Sequence, residues 1–186
     1  MRFVAVVLLV ASAVGVFLAP LVLDASYSPV ANSISESAAQ QTDGAWLARF
    51  ALAFAGLGVL TTVQVKARRW PTVTALAYGL FGVFWIFTAV FSMRSWIAGA
   101  PFEPVEDALH SFFASAMAVV VVGALARAAT SWKARARVAV PALVLASAST
   151  LLPLGGLLWP EVAGVFQRAM FLVAYVYFAF EAVTEA

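Results

Sequence analysis

The sequence predicts an all-α polytopic membrane protein, six transmembrane helices in three hairpins with both termini on the cytoplasmic side. Three observations predict this. Of 186 residues, 64% are apolar and 11% charged, against roughly 45–50% and about 25% in soluble domains. The apolar residues gather in six stretches long enough, or nearly so, to cross about 30 Å of hydrocarbon as helices. The charges fall between the stretches with a bias of sign. No stretch alternates as barrel strands do, and a helix satisfies its own backbone inside lipid.

The first stretch, residues 3–23, follows Arg2. Its apolar core exceeds the 7–15 residues of a signal peptide and no small-x-small site precedes Asp24, so a retained helix is expected. The connection 24–44 is the longest, rich in Ser, Ala, Asn and Gln. Such a loop is either solvated or folded back as a lid, with Tyr27, Val30 and Ile34 as apolar anchors. Asn32-Ser33-Ile34 is no glycosylation sequon, because Ile34 fills the Ser/Thr position. The second stretch, 45–65, carries Gly56 and Gly58, and the third, 71–93, opens on Pro71 and carries Gly79 and Gly82. These glycines permit close helix contacts.

The fourth stretch, 105–126, follows Glu103. In the fifth, 138–159, Pro141 suits a first turn, whereas Pro153 with Gly155 and Gly156 should kink or loosen the helix. Thr61, Thr62 and Gln64, with Ser147, Ser149 and Thr150, read as interhelical hydrogen-bonding groups. The sixth, 164–182, brings Tyr175 and Tyr177, expected to pack, and Glu181, expected near water at the inner boundary. The chain reads as one domain over 1–186, with basic inner loops at 66–70 and 127–137.

Orientation follows from the loops. With the N-terminus inside, Arg2, Lys66, Arg68, Arg69, Arg127, Lys133, Arg135 and Arg137 lie inside, about 8 of 11 basic residues. Arg49, Arg94 and Arg168 lie outside with seven of the nine acids, and Glu181 and Glu185 inside. Positive loops resist translocation, so both termini are expected in the cytoplasm. The pI of about 9.3 is thereby a topology signal, and no nucleic-acid partner is expected.

Composition removes several chemistries. There is no cysteine, and His110 is the one histidine, so neither thiolate nor multi-histidine metal sites form within one chain. No phosphate loop or dinucleotide fingerprint occurs. Neither metal nor cofactor is expected.

The informative feature is where polar groups enter the spans. Each even-numbered helix starts from an acid and then sets a cationic or ionisable group just inside: Asp43 then Arg49, Glu106-Asp107 then His110, Glu161 then Gln167-Arg168. Arg49, His110 and Arg168 recur about 60 residues apart at similar depth. Charges inside a span cost a few kcal/mol at its centre and usually face protein or a wet cavity. Glu106 and Asp107, four and three residues before His110, share its face and would orient the imidazole for acid–base work. Gln167 and Arg168 would form a fork for carboxylate or phosphate. The plainer alternatives are that the arginines snorkel to headgroups or pair with Asp43 and Glu161, that His110 packs between helices, and that the acids cap.

Tyr27-Ser28-Pro29 and Asn32-x-Ile34-Ser35-Glu36 after a first span, Leu109-His110 opening the fourth helix and Gly164-Val-Phe-Gln167-Arg168 in the sixth resemble a family of small, roughly six-span prokaryotic membrane proteins of unknown function. The resemblance covers most of the chain and implies a shared outer site drawn from Ser33 or Ser35, Glu36, His110 and Arg168. It implies a cytoplasmic-membrane location and no reaction. The layout is also loosely similar to membrane hydrolases with Ser, Asp and three His around zinc, which one histidine excludes.

Three functions compete. The first is a binding protein whose outward polar pocket takes an anionic lipid or other amphiphile on Arg49, Arg168, Gln167, Asn32, Ser35 and Glu36. The second is an enzyme using His110 with Asp107 or Glu106 on a lipid or isoprenoid substrate. The third is an accessory subunit docked to a membrane-protein partner or to a second copy. A transporter is less favoured, since no broken pair of spans and no midplane charge is visible.

Overall fold

A computed structural model describes residues 1–131 and 136–184. Lys133, Arg135 and Glu185, counted above among the loop charges, lie outside the described residues.

All regular structure among the described residues is helical. The elements are α1 (Arg2–Leu18), α2 (Ile34–Ser37), α3 (Ala45–Lys66), α4 (Thr72–Val90), α5 (Pro104–Ala116), α6 (Val119–Ser131), α7 (Ala136–Leu158) and α8 (Ala163–Val183). Short 3₁₀ turns at Ala19–Leu21 and Pro160–Val162 extend α1 and precede α8. Six helical spans, with α5 and α6 together forming the fourth, are long and apolar enough to cross a membrane. One end of the bundle, the loop end, carries residues 22–44, 91–103 and 159–162. The other, the basic end, carries Arg2, Lys66, Arg68, Arg69, Arg127 and Arg137.

The core is built from small residues on one helix face and aromatic rings on another. On α1, Ala5, Leu9, Ser12 and Val16 are buried at helical spacing, while Val7, Val10, Val14 and Phe17 stay exposed. That inversion of the soluble pattern is what a lipid-facing helix requires. The α1 face meets α3 so closely that a Cβ on Gly15 would fall 2.8 Å from Ala51 Cβ, and one on Gly58 2.8 Å from Leu9 Cγ. Gly56 lies against the Gly82 carbonyl across α3 and α4. Gly79, by contrast, faces open space and takes no part in that packing. Rings from α4 and α8 fill the centre: Phe81 stacks on Phe178 at 5.7 Å, and Trp85 meets Phe171 edge-on at 4.9 Å.

Three features depart from the sequence reading. The fourth span is not one rod: its bonds tighten to three-residue spacing at Ala118 N–Ser115 O, Val120 N–Met117 O and Val121 N–Ala118 O, separating α5 from α6. No proline or glycine marks this break. The span changes partner across it, with α5 packed on α4 and α6 on both α4 and α7. Secondly, α7 begins at Ala136, so Pro141 sits inside the helix rather than in its first turn, and the helix continues through Pro153. Thirdly, Thr61, Thr62 and Thr150 do not bridge helices; each hydroxyl bonds the carbonyl four residues back on its own helix, the local alternative open to a threonine.

Candidate functional site

The loop end is held by side chains that grip main chain. Residues 24–44 fold back over the bundle, with Tyr27 and Ile34 buried and Val30 exposed. Ser33 and Glu36 close a reciprocal capping box on α2: Ser33 N donates to Glu36 Oε2 at 2.5 Å and Glu36 N to Ser33 Oγ at 3.1 Å. Asn32 Oδ1 accepts from Ser28 N at 2.8 Å, and its Nδ2 donates to Glu36 Oε1 at 3.3 Å.

The cations predicted for a pocket serve this loop. Arg168 donates through Nη1 to the carbonyls of Pro29 (2.7 Å), Asn32 (2.9 Å) and Gly164 (3.1 Å), and through Nη2 to Tyr27 Oη (2.7 Å). Tyr27 in turn donates to Ser33 O at 2.8 Å. Burial pushes the Tyr27 phenol above its ordinary value, and the Arg168 cation opposes that rise. Arg49 donates to Ala38 O at 3.1 Å and Ala39 O at 2.8 Å, beyond the C-terminus of α2. Gln167 Oε1 accepts from Ile34 N and, at 3.4 Å, from Ser35 N, satisfying the N-terminus of α2. The two arginines therefore do not meet in one place, and neither pairs with Asp43 or Glu161.

The other predicted trio brackets residues 91–94. His110 Nδ1 lies 2.8 Å from Phe91 O, Glu106 Oε1 accepts from Ser92 N at 2.8 Å, and Asp107 Oδ1 accepts from Arg94 N at 2.8 Å. The shared face is as expected, but it points at a peptide segment. Gln40, which sequence reasoning passed over, joins the two loops: its Nε2 donates to Ser92 O at 2.7 Å and its Oε1 accepts from Glu103 N at 2.6 Å.

Beneath this lid lies a cavity of about 250 Å³ in the loop-end half of the bundle. One wall is aromatic, from Phe81 and Trp85 on α4 and Phe171 on α8. The facing wall comes from Ser115 on α5, Met117 and Ala118 at the break, and Ser149 and Pro153 on α7. Ser35 and Gln167 close the loop end. Ala114, Ser115, Ala118 and Pro153 are exposed as well as lining, so the cavity opens sideways between α5 and α7. The break in the fourth span lies at this mouth, where α5 packs on α4 and α6 on both α4 and α7. No charged side chain lines the cavity.

Among the described residues, Trp85 Nε1 and Ser92 Oγ are the buried side-chain polar atoms without a hydrogen-bond partner. Trp85 is 1% exposed. Of the sequence-predicted site residues, only Ser35 and Gln167 reach the cavity; Arg49, His110, Glu106, Asp107, Asn32, Glu36 and Arg168 do not line it. Phe81, Trp85 and Thr88 share one face of α4, and Gln167, Met170, Phe171 and Ala174 one face of α8. That spacing was readable, but it is equally the spacing of ordinary core.

The basic end holds a second polar cluster. Glu181, 0% exposed, does not face water as expected. Its Oε1 accepts from Arg127 Nε (3.1 Å) and Tyr177 Oη (3.2 Å), and its Oε2 from Arg127 Nη2 (3.4 Å) and Trp70 Nε1 (3.3 Å). Tyr78 Oη donates to Tyr177 Oη at 2.8 Å, and Arg127 Nη1 to Ser131 Oγ at 3.1 Å. Lys66 Nζ donates to Thr184 O. Arg127 and Lys66, expected among the solvated charges of the inner loops, are thus buried in helices. The signal was present: Arg127 with Ser131, and Tyr177 with Glu181, are pairs four residues apart on their helices.

The family described as protein of unknown function DUF998 matches the chain over residues 3–184. The chain belongs to this family. Against the geometry above, the DUF998 match covers every helix, the lid and both polar clusters. No curated protein and no solved structure matches the chain. The DUF998 chain has no group of three or more His, Asp or Glu residues placed to hold a metal among the described residues.

Proposed function

We propose that the protein binds one lipid or other amphiphile at a time, with the apolar body of the ligand in the cavity between α4, the α5–α6 break, α7 and α8. The observation that carries this reading is the cavity itself: about 250 Å³, walled by apolar and aromatic side chains and open sideways between two spans. A dry cavity of roughly 150 Å³ is enough to bind benzene. With the basic end in the cytoplasm, the opening faces the outer leaflet of the cytoplasmic membrane, and the lid of residues 24–44 separates the ligand from water. Arg49 and Arg168 act on the lid rather than on the ligand, which directs the ligand's polar group to Ser35, Gln167 and the hydroxyls of the wall.

The test is mass spectrometry of molecules that copurify with gently solubilised protein, comparing wild type with Ala118→Leu. Ala118 is exposed at the mouth, so the larger side chain fills the opening without entering the packed core. A defined amphiphile held by wild type and depleted from Ala118→Leu is expected. Identical lipid profiles in two equally helical preparations overturn the reading.

A further inference from the structure

Resting on that reading, we infer that the ligand is an uncharged two-chain lipid of the diacylglycerol class, its ester and hydroxyl head at Gln167 and Ser35 and one chain in each of two joined apolar limbs. The first limb is the cavity. The second is a groove of about 260 Å³ between α7 and α8, past Gly156, Leu157, Ala163 and Phe166. The limbs share Pro153, Gln167 and Met170, so they meet at one polar side chain. A ligand with a single chain would cover one limb and leave the other bare.

The Gln167 amide has a fixed orientation. A backbone N–H only donates, so the amide atom that meets Ile34 N and Ser35 N is the oxygen. The NH₂ group then stands on the other branch of the amide. Among the described residues, the unpartnered polar side-chain atoms sealed from any contact are Trp85 Nε1 and Ser92 Oγ. Gln167 Nε2 is neither bonded nor sealed, and Gln167 lines both limbs. The Ser35 hydroxyl on the cavity side is likewise open. An amide donor and a hydroxyl on residues already joined through Ser35 N and Gln167 Oε1 at 3.4 Å suit an ester carbonyl next to a hydroxyl. A few placed polar groups in an apolar pocket orient a ligand in this way.

The head is uncharged because nothing at the junction would neutralise a charge. No charged side chain lines either limb. Arg49 and Arg168, the cations of this end, donate to lid carbonyls. A phosphate would therefore enter low dielectric uncompensated.

The experiment measures binding of three probes to the whole purified chain in detergent micelles by native mass spectrometry. They are dioctanoylglycerol, dioctanoyl phosphatidate, which adds a charged phosphate, and monooctanoylglycerol, which lacks one chain. Wild type is expected to hold dioctanoylglycerol about tenfold more tightly than either of the others. Gly156 lines the groove, where a Cβ would meet Ala163 at an ordinary 3.6 Å. Gly156→Leu should lower dioctanoylglycerol to the level of monooctanoylglycerol and leave the latter within about twofold. Gln167→Glu keeps an oxygen for Ile34 N and removes the NH₂ donor, so it should weaken dioctanoylglycerol about tenfold while amide exchange in the lid stays unchanged. Ala118→Leu should weaken all three probes. Equal binding of the three to wild type, or a preference for the phosphatidate or the single-chain probe, overturns this inference; if Ala118→Leu still weakens binding, the amphiphile cavity stands. That comparison serves if the Gly156 and Gln167 variants do not fold. Dioctanoylglycerol binding indifferent to Gln167→Glu overturns the place of the head, and indifference to Gly156→Leu overturns the second chain. No probe bound, or none weakened by Ala118→Leu, overturns the cavity reading as well. Self-association disrupted by Ala118→Leu, with no probe bound, assigns the cleft to a second copy and likewise overturns both.

Discussion

Glu181→Gln should destabilise the bundle by about 3–5 kcal/mol, the range seen when one partner of a buried ion pair is removed. The substitution preserves shape and removes charge. In the native protein four donors converge on the carboxylate: Arg127 Nε, Arg127 Nη2, Tyr177 Oη and Trp70 Nε1. An amide has one oxygen, so in either flip two of the four donors face an NH₂ group. Arg127, 7% exposed, would keep a full charge with no counter-charge beside it. Denaturation in mixed micelles of increasing dodecyl sulfate, followed by circular dichroism, measures the loss. The double variant Arg127→Met with Glu181→Gln should recover most of it, because it removes the buried cation that Glu181→Gln alone leaves without a counter-charge. The two single losses should therefore fail to add, with a coupling of at least about 2 kcal/mol. A loss below about 1 kcal/mol for Glu181→Gln would refute the reasoning, since it would mean that water or lipid headgroups already screen the pair.

Arg168→Ala should free the lid and leave the spans intact: losing its charge-assisted bonds to Pro29 O, Asn32 O and Tyr27 Oη costs about 2 kcal/mol locally, read as roughly 30-fold faster amide exchange over residues 27–36. Gly164→Ala should disturb the same region, because its Cβ would fall 2.3 Å from Asn32 O and 2.6 Å from Pro29 O; a stability loss of about 1–3 kcal/mol with a displaced lid is expected, and unchanged exchange in the lid would contradict it. The Tyr27 phenol is raised by burial, so the folded chain holds that proton more tightly than the unfolded chain does. The contribution of the clasp is then full below the ordinary phenol value of about 10 and lost as pH rises through the higher folded value, which proteolysis of the lid scanned over alkaline pH will register.

Hydropathy located the spans well because it records lipid contact. The expected 45–65 and 138–159 became Ala45–Lys66 and Ala136–Leu158, within two residues at each end. The break between α5 and α6 was invisible for the opposite reason. It arises from a change of packing partner, and Ala116-Met117-Ala118 carries no local mark of it. At the loop end the polar residues singled out have peptide groups among their partners, which a sequence displays identically at every position. Thus Arg49 and Arg168 looked like ligands for a guest, whereas in the folded chain they hold the protein's own backbone. Arg127 was misplaced because a charge following an apolar stretch reads as a loop residue unless its partner, 54 residues away, is known.

Helix α8 completes both ends of the bundle. Tyr27, Ile34 and the carbonyls of 29–32 wait for Gln167 and Arg168; Trp70 and Arg127 wait for Glu181, and Lys66 for the Thr184 carbonyl. During synthesis at roughly 5–20 residues per second, Arg127 precedes its counter-charge by about 3–10 s. Over that interval Arg127 lacks the Glu181 carboxylate that it pairs with in the folded chain. A chain stopped after α7 would keep five apolar spans but would lack the Arg168 grip on the lid and the Glu181 counter-charge to Arg127.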